Sequence, residues 1–341
     1  MKQGVQSVFT WIFILLAGGL ILVFFITVGY RFYDGSIQTA SIQVEQNLES
    51  ALSLALQQDR YSHSILLGRS SVTFFCSNTC DCTFDTGYKG TNFRDNIFFA
   101  EPLIDGTLYL WSLPWLVPFR ATNFLTVSSP EYTHYIVTGN AARGLQEELE
   151  EKSPKNSTIR FITPSEVSTI ENGATQEKFI FLKSGIRALH PSFADEEVRA
   201  VELQGNTIQF LIKSEDSPGF EQQGQRIPIL NDNLAMISAA MFSGHPDMFT
   251  CGLQTGYKKL NLVAQVLANK AKSMDGFTKP NGDNCYYDPS AVSLLNSISQ
   301  HANTLSTNPR DSQSVSSLDQ LYTQLEQLNN EREIESCPLI Y

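Results

Sequence analysis

The longest uncharged stretch of the chain lies at its start and restricts what the protein can be. Residues 3 to 30 contain no charged side chain. About 20 consecutive apolar residues in a helix cross the hydrocarbon layer of a bilayer, and a helix satisfies its own backbone hydrogen bonds in lipid. The stretch therefore predicts a transmembrane helix at 7–30, with 1–6 as a short cytoplasmic N-terminus. Trp11 and Tyr30 lie toward its two ends, where aromatic rings favour the membrane interface.

A cleaved signal peptide is the alternative interpretation of this stretch. The apolar part of a signal peptide has about 7–15 residues and ends at a small-residue cleavage site. The stretch in this chain is longer and ends in Tyr30-Arg31-Phe32-Tyr33-Asp34, which lacks such a site. We therefore expect a retained anchor.

The flanking charges and the cysteines predict the orientation of the anchor. Lys2 precedes the stretch, whereas Arg31 and Asp34 follow it, which is a weak positive-inside signal. All six cysteines follow the stretch, and an even number of cysteines is typical of disulfides in an oxidising compartment. The sequon at Asn156 is a glycosylation candidate and agrees with an exterior location. We expect a single-pass membrane protein with its N-terminus cytoplasmic and its C-terminal domain extracytoplasmic.

Residues 41–58 predict an amphipathic helix within a stalk at 31–60. Apolar residues recur there at helical spacing, at Val44, Leu48, Ala51, Leu52, Ala55 and Leu56. The segment Asp34-Gly35-Ser36 either breaks this helix from the anchor or lies within one long helix. The apolar face needs a partner, and the following domain is the simplest one.

An α+β ectodomain is predicted at 61–250. Short β-branched and aromatic runs predict strands over 61–137. A strand at 132–137, a helix over 141–152 and a strand at 158–162 then predict a βαβ unit with parallel pairing. Gly205-Asn206 lies between two apolar runs and predicts a hairpin, and the polar segment 214–226 predicts a loop.

The C-terminal region, 251–341, is predicted to be helical. Apolar residues recur at helical spacing in three segments, and the polar residues 303–317 predict a linker between the last two. The predicted fold class is therefore α+β: an N-terminal transmembrane helix, a mixed β/βαβ ectodomain and a C-terminal helical region braced by disulfides.

The disulfide candidates are the six cysteines Cys76, Cys80, Cys82, Cys251, Cys285 and Cys337. The pairing we favour joins Cys251 to Cys285, which ties the start of one helix to the loop after it. Cys337 then returns to the 76–82 cluster, and a short loop closes within that cluster. A zinc site is the alternative, with Cys337 or His63 as the fourth ligand. Structural zinc sites usually have a second pair of closely spaced ligands, which this sequence lacks.

Other segments carry weaker chemical signals. Gly139 to Gly144 follows a strand and opens a helix, a position where an anion can bind, but ordinary capping explains the pattern better. His245-Pro246-Asp247 is more typical of a turn than of a catalytic dyad. Asn281-Gly282-Asp283-Asn284 lacks the full ligand pattern of a calcium loop, so a polar turn is favoured.

The chain also contains an aromatic cluster and lacks common enzyme motifs. Trp111, Trp115 and Phe119 favour core packing or docking against the amphipathic helix over a binding surface. The sequence contains neither a nucleophile elbow nor a phosphate-binding loop. No catalytic residue, cofactor or metal site is therefore predicted.

The first 60 residues resemble type IV pilins and related secretion pseudopilins. The resemblance rests on a short leader, Lys2-Gln3-Gly4, followed by an apolar helix, an amphipathic helix and a β-containing head. It implies a processing site at Gly4 and helices that pack into a filament core. The glutamate usual at the fifth mature position is replaced by Phe9 in this sequence.

The later segments resemble uncharacterised single-pass surface proteins of archaea, on the evidence of Pro118 to Leu125 and Tyr257 to Val263. That resemblance implies a location at the cell surface and no particular activity.

The expected function is that of a membrane-anchored extracytoplasmic structural or protein-interaction protein. With 24 basic and 35 acidic residues, the net charge is −11, which argues against binding nucleic acid through phosphate neutralisation. The expected partners are membrane lipid and other surface proteins or further copies of the chain. One alternative is a pilin-like or pseudopilin subunit of a surface filament or secretion machine. The other is an anchored ectoenzyme or ligand-binding receptor that uses the βαβ edge near Gly139 to Arg143.

Overall fold

The structure is a computed structural model. It describes residues 3–58, 61–68, 70–77, 79–87, 90–92, 96–139, 142–152, 158–173, 176–217, 219–279, 283–287 and 289–341. Within the first helix, the description of 3–12 and 32–40 covers the backbone and excludes the side chains.

One helix, α1 (Gln3–Gln57), contains both the apolar stretch and the amphipathic segment. Its 55 residues extend over about 80 Å at 1.5 Å per residue. The backbone stays helical through 34–36, so the alternative of one long helix is confirmed and a break at that segment is wrong. Within α1, the 19 residues Phe13–Arg31 are long and apolar enough to cross a membrane, and none of them is buried in the rest of the protein. This segment has the properties of a membrane anchor or of a signal sequence.

The second half of α1 packs against the head, as the amphipathic pattern predicts. Five apolar side chains on one face are buried: Val44, Leu48, Ala51, Leu52 and Ala55. They share a hydrophobic cluster with Leu108, Leu110, Leu125 and Val127 of the sheet that follows. Burial of this face fixes α1 to the head, because each fully buried aliphatic side chain contributes about 1.5–3 kcal/mol.

Two small sheets follow α1. Their strands are β1 (Tyr61–Leu66), β2 (Val72–Cys76), β3 (Cys82–Asp85), β4 (Gly90–Asn92), β5 (Phe98–Ala100), β6 (Leu103–Ile104), β7 (Thr107–Leu116) and β8 (Arg120–Ser128). One sheet has the order β1-β7-β8-β5 and the other β4-β3-β2-β6. Side chains alternate across β7, so Leu110 faces α1 whereas Trp111 and Trp115 enter the larger core behind the sheet.

A six-stranded sheet forms the middle of the head. Its strands are β9 (Tyr132–Thr138), β10 (Ile159–Ile162), β11 (Gln176–Leu182), β12 (Val198–Gln204), β13 (Thr207–Lys213) and β14 (Glu221–Pro228), and α2 (Arg143–Lys152) follows β9. The order is β10-β9-β11-β12-β13-β14. The parallel pairing of β9 with β10 confirms the predicted βαβ unit. The hairpin between β12 and β13 is also confirmed, and its turn residue Gly205 has a φ of +57°, which glycine adopts without steric cost.

The predicted loop at 214–226 is wrong in its second half, because β14 begins at Glu221. Residues 221–226 are polar and mostly exposed, yet their backbone pairs with β13 at the edge of the sheet. An edge strand with a solvent-facing surface lacks the apolar alternation that identifies a strand in sequence.

The remaining elements are α3 (Leu234–Phe242), α4 (Pro246–Met274), the short strands β15 (Phe277–Thr278) and β16 (Asn284–Cys285), α5 (Ser290–Thr307) and α6 (Ser312–Ile334).

The predicted linker at 303–317 is wrong, because only residues 308–311 separate α5 from α6. Leu305 and Val315 are buried, and Asp311 caps α6 by accepting a hydrogen bond from the Gln313 amide. The polar residues of this segment are the outer faces of two helices.

A single hydrophobic cluster contains side chains from residue 97 to residue 340. The predicted domain border at 250/251 lies inside α4. Trp111, Trp115 and Phe119 are buried in this cluster, so the core interpretation of the aromatic segment is confirmed. Their partners include Phe242 of α3 and Tyr257 of α4.

The structure pairs all six cysteines, as Cys76–Cys82, Cys80–Cys251 and Cys285–Cys337. The short loop within the 76–82 cluster is confirmed. The predicted bond between Cys251 and Cys285 is wrong, and so is the return of Cys337 to the cluster. Cys251 lies near the start of α4 and Cys285 follows its end. About 35 Å of helix separates them at 1.5 Å per residue, whereas bonded cysteines have Cα atoms within about 7 Å.

The close approach of α4 to β5 predicts a strong effect of one added methyl group. A Cβ atom at Gly252 would lie 2.4 Å from Cε1 of Phe99, which is itself fully buried. We expect Gly252→Ala to lower the free energy of unfolding by about 1–3 kcal/mol, because an overfilled core forces its neighbours to shift. Gly144 of α2 has nothing within 4 Å of its Cβ position, so Gly144→Ala is the matched control. Glycine is a poor helix former, so the control is expected to be neutral or stabilising in urea denaturation. Equal stability of the two variants would contradict this packing argument.

Candidate functional site

Three ionisable side chains meet in the interior of the head. Glu101 and His134 are at most 1% exposed and Lys178 is 3% exposed. His134 lies on β9, and Lys178 lies directly opposite it on the parallel strand β11. Glu101 directly follows β5 of the first sheet. The site therefore joins the first small sheet to the six-stranded sheet.

One carboxylate oxygen links the three side chains. Oε1 of Glu101 lies 3.1 Å from Nζ of Lys178 and 3.2 Å from Nε2 of His134. Nζ of Lys178 also donates to the carbonyl oxygen of Ser243, at 2.7 Å, in the turn between α3 and α4. Buried charges require such partners, because leaving water costs each ion several kcal/mol.

The surroundings keep Glu101 ionised. Burial by itself raises the pKa of its carboxyl group, but the Lys178 charge and the hydrogen bond with His134 outweigh burial and hold this pKa at about 2. Burial lowers the pKa of His134 against the opposing effect of Glu101, which favours a neutral imidazole. Burial also lowers the pKa of Lys178, and Glu101 opposes that shift.

A pocket of about 410 Å³ opens beside this buried group. It lies where β9, β11 and β12 begin, and both Glu101 and Lys178 line it. Its other charged lining residues are Glu177, Glu196, Glu197, Arg199 and Glu215. Five carboxylates and two cations therefore surround the space, which makes the pocket acidic.

Two neighbours of the pocket complete its polar wall. Tyr132 donates its hydroxyl to the carbonyl oxygen of Leu103 at 2.9 Å, and burial together with the Glu101 charge raises its pKa. The guanidinium of Arg199 lies 3.5 Å from the carbonyl oxygen of Gly244 and 3.5 Å from Oε1 of Glu197. These contacts are at the long limit for hydrogen bonds, so Arg199 keeps donor capacity for a further acceptor.

The residues singled out in sequence lie elsewhere. Gly139 directly follows β9, at the end of that strand opposite to the pocket, and Asn140 and Ala141 lie outside the described residues. Asn156, the glycosylation candidate, and the stretch 280–282 also lie outside them. Gly4, the processing candidate, is in the first turns of α1. His245 precedes α4 at its N-cap position, and Pro246 and Asp247 lie in the first turn of that helix, so the interpretation of these residues as a turn is wrong beyond His245.

Sequence reasoning missed Glu101, His134 and Lys178. A signal existed for two of them: His134 interrupts the largely apolar and aromatic strand Tyr132-Thr133-His134-Tyr135-Ile136-Val137, and Lys178 directly precedes the apolar run Phe179-Ile180-Phe181-Leu182 of β11. A charged residue in a strand that is buried on both faces needs a buried partner. Glu101 lies between an aromatic strand and a proline and carried no such signal.

The buried carboxylate predicts a stability that falls with acidification. The folded pKa of Glu101, about 2, lies below its ordinary value of 4.5, so the unfolded chain takes up a proton first as the pH falls. This contribution is fully present above pH 4.5 and is lost between pH 4.5 and pH 2. The lowered pKa of His134 acts in the same direction below its ordinary value of 6.5. The midpoint of urea denaturation should therefore decrease from pH 7 to pH 3, and less steeply in Glu101→Gln than in the parent. Equal slopes would contradict the assignment to Glu101.

Among the residues that the structure describes, no group of three or more histidine, cysteine, aspartate or glutamate side chains has a metal-binding arrangement. With all six cysteine sulfur atoms in disulfides, the zinc alternative has no thiolate ligand. Comparison with known proteins finds no matching protein-family model, no matching curated protein and no matching solved structure.

Proposed function

We propose that this protein is a membrane-anchored extracytoplasmic protein that holds its head at a fixed distance from the bilayer and contacts other proteins there. The observation that carries the proposal is the continuity of α1. One half of this helix exposes an apolar surface along its length, and the other half is part of the hydrophobic core of the head. A force on the head is therefore transmitted directly to the anchor.

The exposed half of α1 needs a nonaqueous environment. Most of its large side chains are more than half exposed, including Phe13, Leu15, Leu20 and Phe25. Apolar surface costs about 25 cal/mol per Å² in water, so an exposed helix of this length is strongly stabilised by transfer into lipid. The helix also continues through 30–34, where a signal-peptide cleavage site would have to lie. Both observations favour a retained anchor over a removed signal sequence.

The disulfides support the extracytoplasmic side for the head. Disulfides persist in oxidising compartments and are rare in the reducing cytosol. All six cysteines follow the anchor and are paired. This arrangement supports an N-terminus in the cytoplasm and a head outside.

Cell fractionation tests the anchoring. We expect the full chain in the membrane fraction after washing with alkaline carbonate, and its release by detergent. Protease added to intact cells should cleave the head, and alkylation under denaturing conditions should label its cysteines only after reduction. The variant Leu20→Arg/Phe24→Arg places two charges in the centre of the span and is expected to lose membrane retention, because each costs about 3 kcal/mol there. Recovery of the intact parent chain in the aqueous fraction, with reactive thiols, would overturn the proposal.

A second candidate function is that of a pilin-like subunit, and the continuous helix favours it as well. A single helix that contains both an apolar half and a head-packed half is the arrangement through which pilin-like subunits assemble. N-terminal sequencing of the native protein tests for cleavage after Gly4, and electron microscopy of the cell surface tests for filaments. An uncleaved N-terminus and the absence of filaments would exclude this candidate while leaving the anchored-protein proposal intact.

A further inference from the structure

We propose that the acidic pocket beside Glu101 and Lys178 binds a small ligand with a carboxylate and an excess of positive charge, of the chemical class of the basic amino acids. This inference goes beyond membrane anchoring. It rests on a cavity whose buried floor and exposed rim carry different charges.

The floor of the pocket is an incompletely satisfied ion pair. Oε1 of Glu101 receives both the Lys178 and the His134 contacts. Oε2 of Glu101 accepts no hydrogen bond from any residue that the structure describes, although this side chain is 99% buried and lines the pocket. An oxygen left open at the wall of a cavity can accept a hydrogen bond from a donor outside the chain.

The rim of the pocket carries uncompensated negative charge. The carboxylates of Glu196 and Glu215 form no hydrogen bond or ion pair with the described part of the chain, and both are exposed to the pocket opening. Glu177 is half-buried, and its pKa is raised by burial and, to a smaller extent, by the charge of Glu196. Carboxylates that face one another across a cavity repel unless a cation lies between them. An ammonium or guanidinium group of a ligand supplies that cation.

The pocket lining also carries the positive charge that a ligand carboxylate requires. The ammonium group of Lys178 has two partners for three hydrogens, and Arg199 makes only its two 3.5 Å contacts within the described residues. The two side chains lie at adjacent register positions, because Lys178 of β11 pairs with Arg199 of β12. Neighbouring lysine and arginine donors form charge-assisted hydrogen bonds with a carboxylate.

The volume agrees with such a ligand. Small-molecule sites are usually concave spaces of about 300–1,000 Å³, and this pocket is near the lower end at about 410 Å³. The excess of carboxylates over cations in the lining selects against acidic ligands. It favours a ligand with one negative and two positive groups.

Isothermal titration of the purified full chain in detergent micelles tests the proposal with L-arginine as the probe. We expect saturable binding of L-arginine and none of L-glutamate. Agmatine, which is arginine without its carboxylate, should bind about tenfold more weakly, because it loses the contact with Lys178 and Arg199. Guanidinium chloride at the same concentration controls for ionic strength. Equal affinity for agmatine and L-arginine, or no saturable binding of L-arginine at millimolar concentration, would overturn the assignment.

Substitutions at the rim separate the pocket from nonspecific charge effects. Glu196→Gln/Glu215→Gln removes two exposed carboxylates of the pocket, and we expect about a tenfold loss of affinity for L-arginine. Glu49→Gln/Glu333→Gln removes the same charge from exposed positions on α1 and α6 and should leave the affinity unchanged. Equal weakening in both variants would mean general electrostatic attraction and would refute the site. The binding assay uses purified protein, so absence of L-arginine binding would not affect the anchoring proposal. A chain that is not retained in the membrane fraction can still be tested for L-arginine binding.

Discussion

Removal of the Cys80–Cys251 disulfide is expected to lower the free energy of unfolding by about 5 kcal/mol in the variant Cys80→Ala/Cys251→Ala. The bond joins residues 171 positions apart, so it strongly restricts the unfolded chain. In the chain-entropy account, the stabilisation grows with the logarithm of the loop length. The bond also holds the β2–β3 turn against the start of α4, and its loss releases that contact.

The matched control is Cys76→Ala/Cys82→Ala. This bond closes only six positions between directly paired residues of β2 and β3. Its removal is expected to lower the free energy of unfolding by about 2 kcal/mol, because closing a short loop removes little entropy from the unfolded chain. Urea denaturation followed by circular dichroism, with the remaining disulfides verified by mass spectrometry, measures both values. A larger loss in the control than in Cys80→Ala/Cys251→Ala would contradict the loop-length argument.

Replacement of Lys178 with methionine is the second substitution with a large expected effect. Lys178→Met leaves Glu101 charged and buried with His134 as its remaining side-chain partner. Loss of one member of a buried ion pair typically costs about 3–5 kcal/mol, mostly because the other charge stays uncompensated. We expect a decrease of that size in the free energy of unfolding at pH 7.

The double variant Glu101→Gln/Lys178→Met provides the control for this explanation. The amide at 101 is neutral and still hydrogen-bonds with His134, so no unpaired charge remains in the core. We expect the double variant to recover more than half of the loss seen in Lys178→Met, since neutral replacements of buried ion pairs are often tolerated. A double variant as unstable as the sum of its single variants would show that the two side chains act independently. Exposed ion pairs such as Arg143–Glu147 are expected to contribute far less to the free energy of unfolding than the buried Glu101–Lys178 pair, because solvent screens their charges.

These two predictions concern the same part of the fold. The start of α4 contacts the β2–β3 turn through Cys251, and the turn before it contacts Lys178 through Ser243. Gly244 of this turn also donates its amide to the carbonyl oxygen of Ala100, next to Glu101. The junction of α3 and α4 therefore contacts both small sheets and the six-stranded sheet, and Lys178, one of its contacts, also lines the pocket. Loss of either link is expected to disturb the pocket as well as the stability of the head.

Local patterns in the sequence predicted the elements that depend on nearby residues. The amphipathic face of α1, the βαβ unit and the hairpin at Gly205 were all correct, because their signals are a helical period, an alternation of apolar runs and a turn residue. The errors also have local causes. The sequence predicts a loop at the edge strand β14 and a linker at the α5–α6 connection because the residues there are polar on the solvent side.

By itself, the sequence determined the apolar half of α1, the buried face that follows it and an even set of cysteines after both. These properties depend on side-chain polarity within a few helical turns. That polarity can be read directly from the order of residues in the chain. Only the tertiary structure decided which cysteines meet and which charges share the core. Cys80 and Cys251, or Glu101, His134 and Lys178, come together because sheets and helices pack across long sequence separations, and distance along the chain carries no record of that packing.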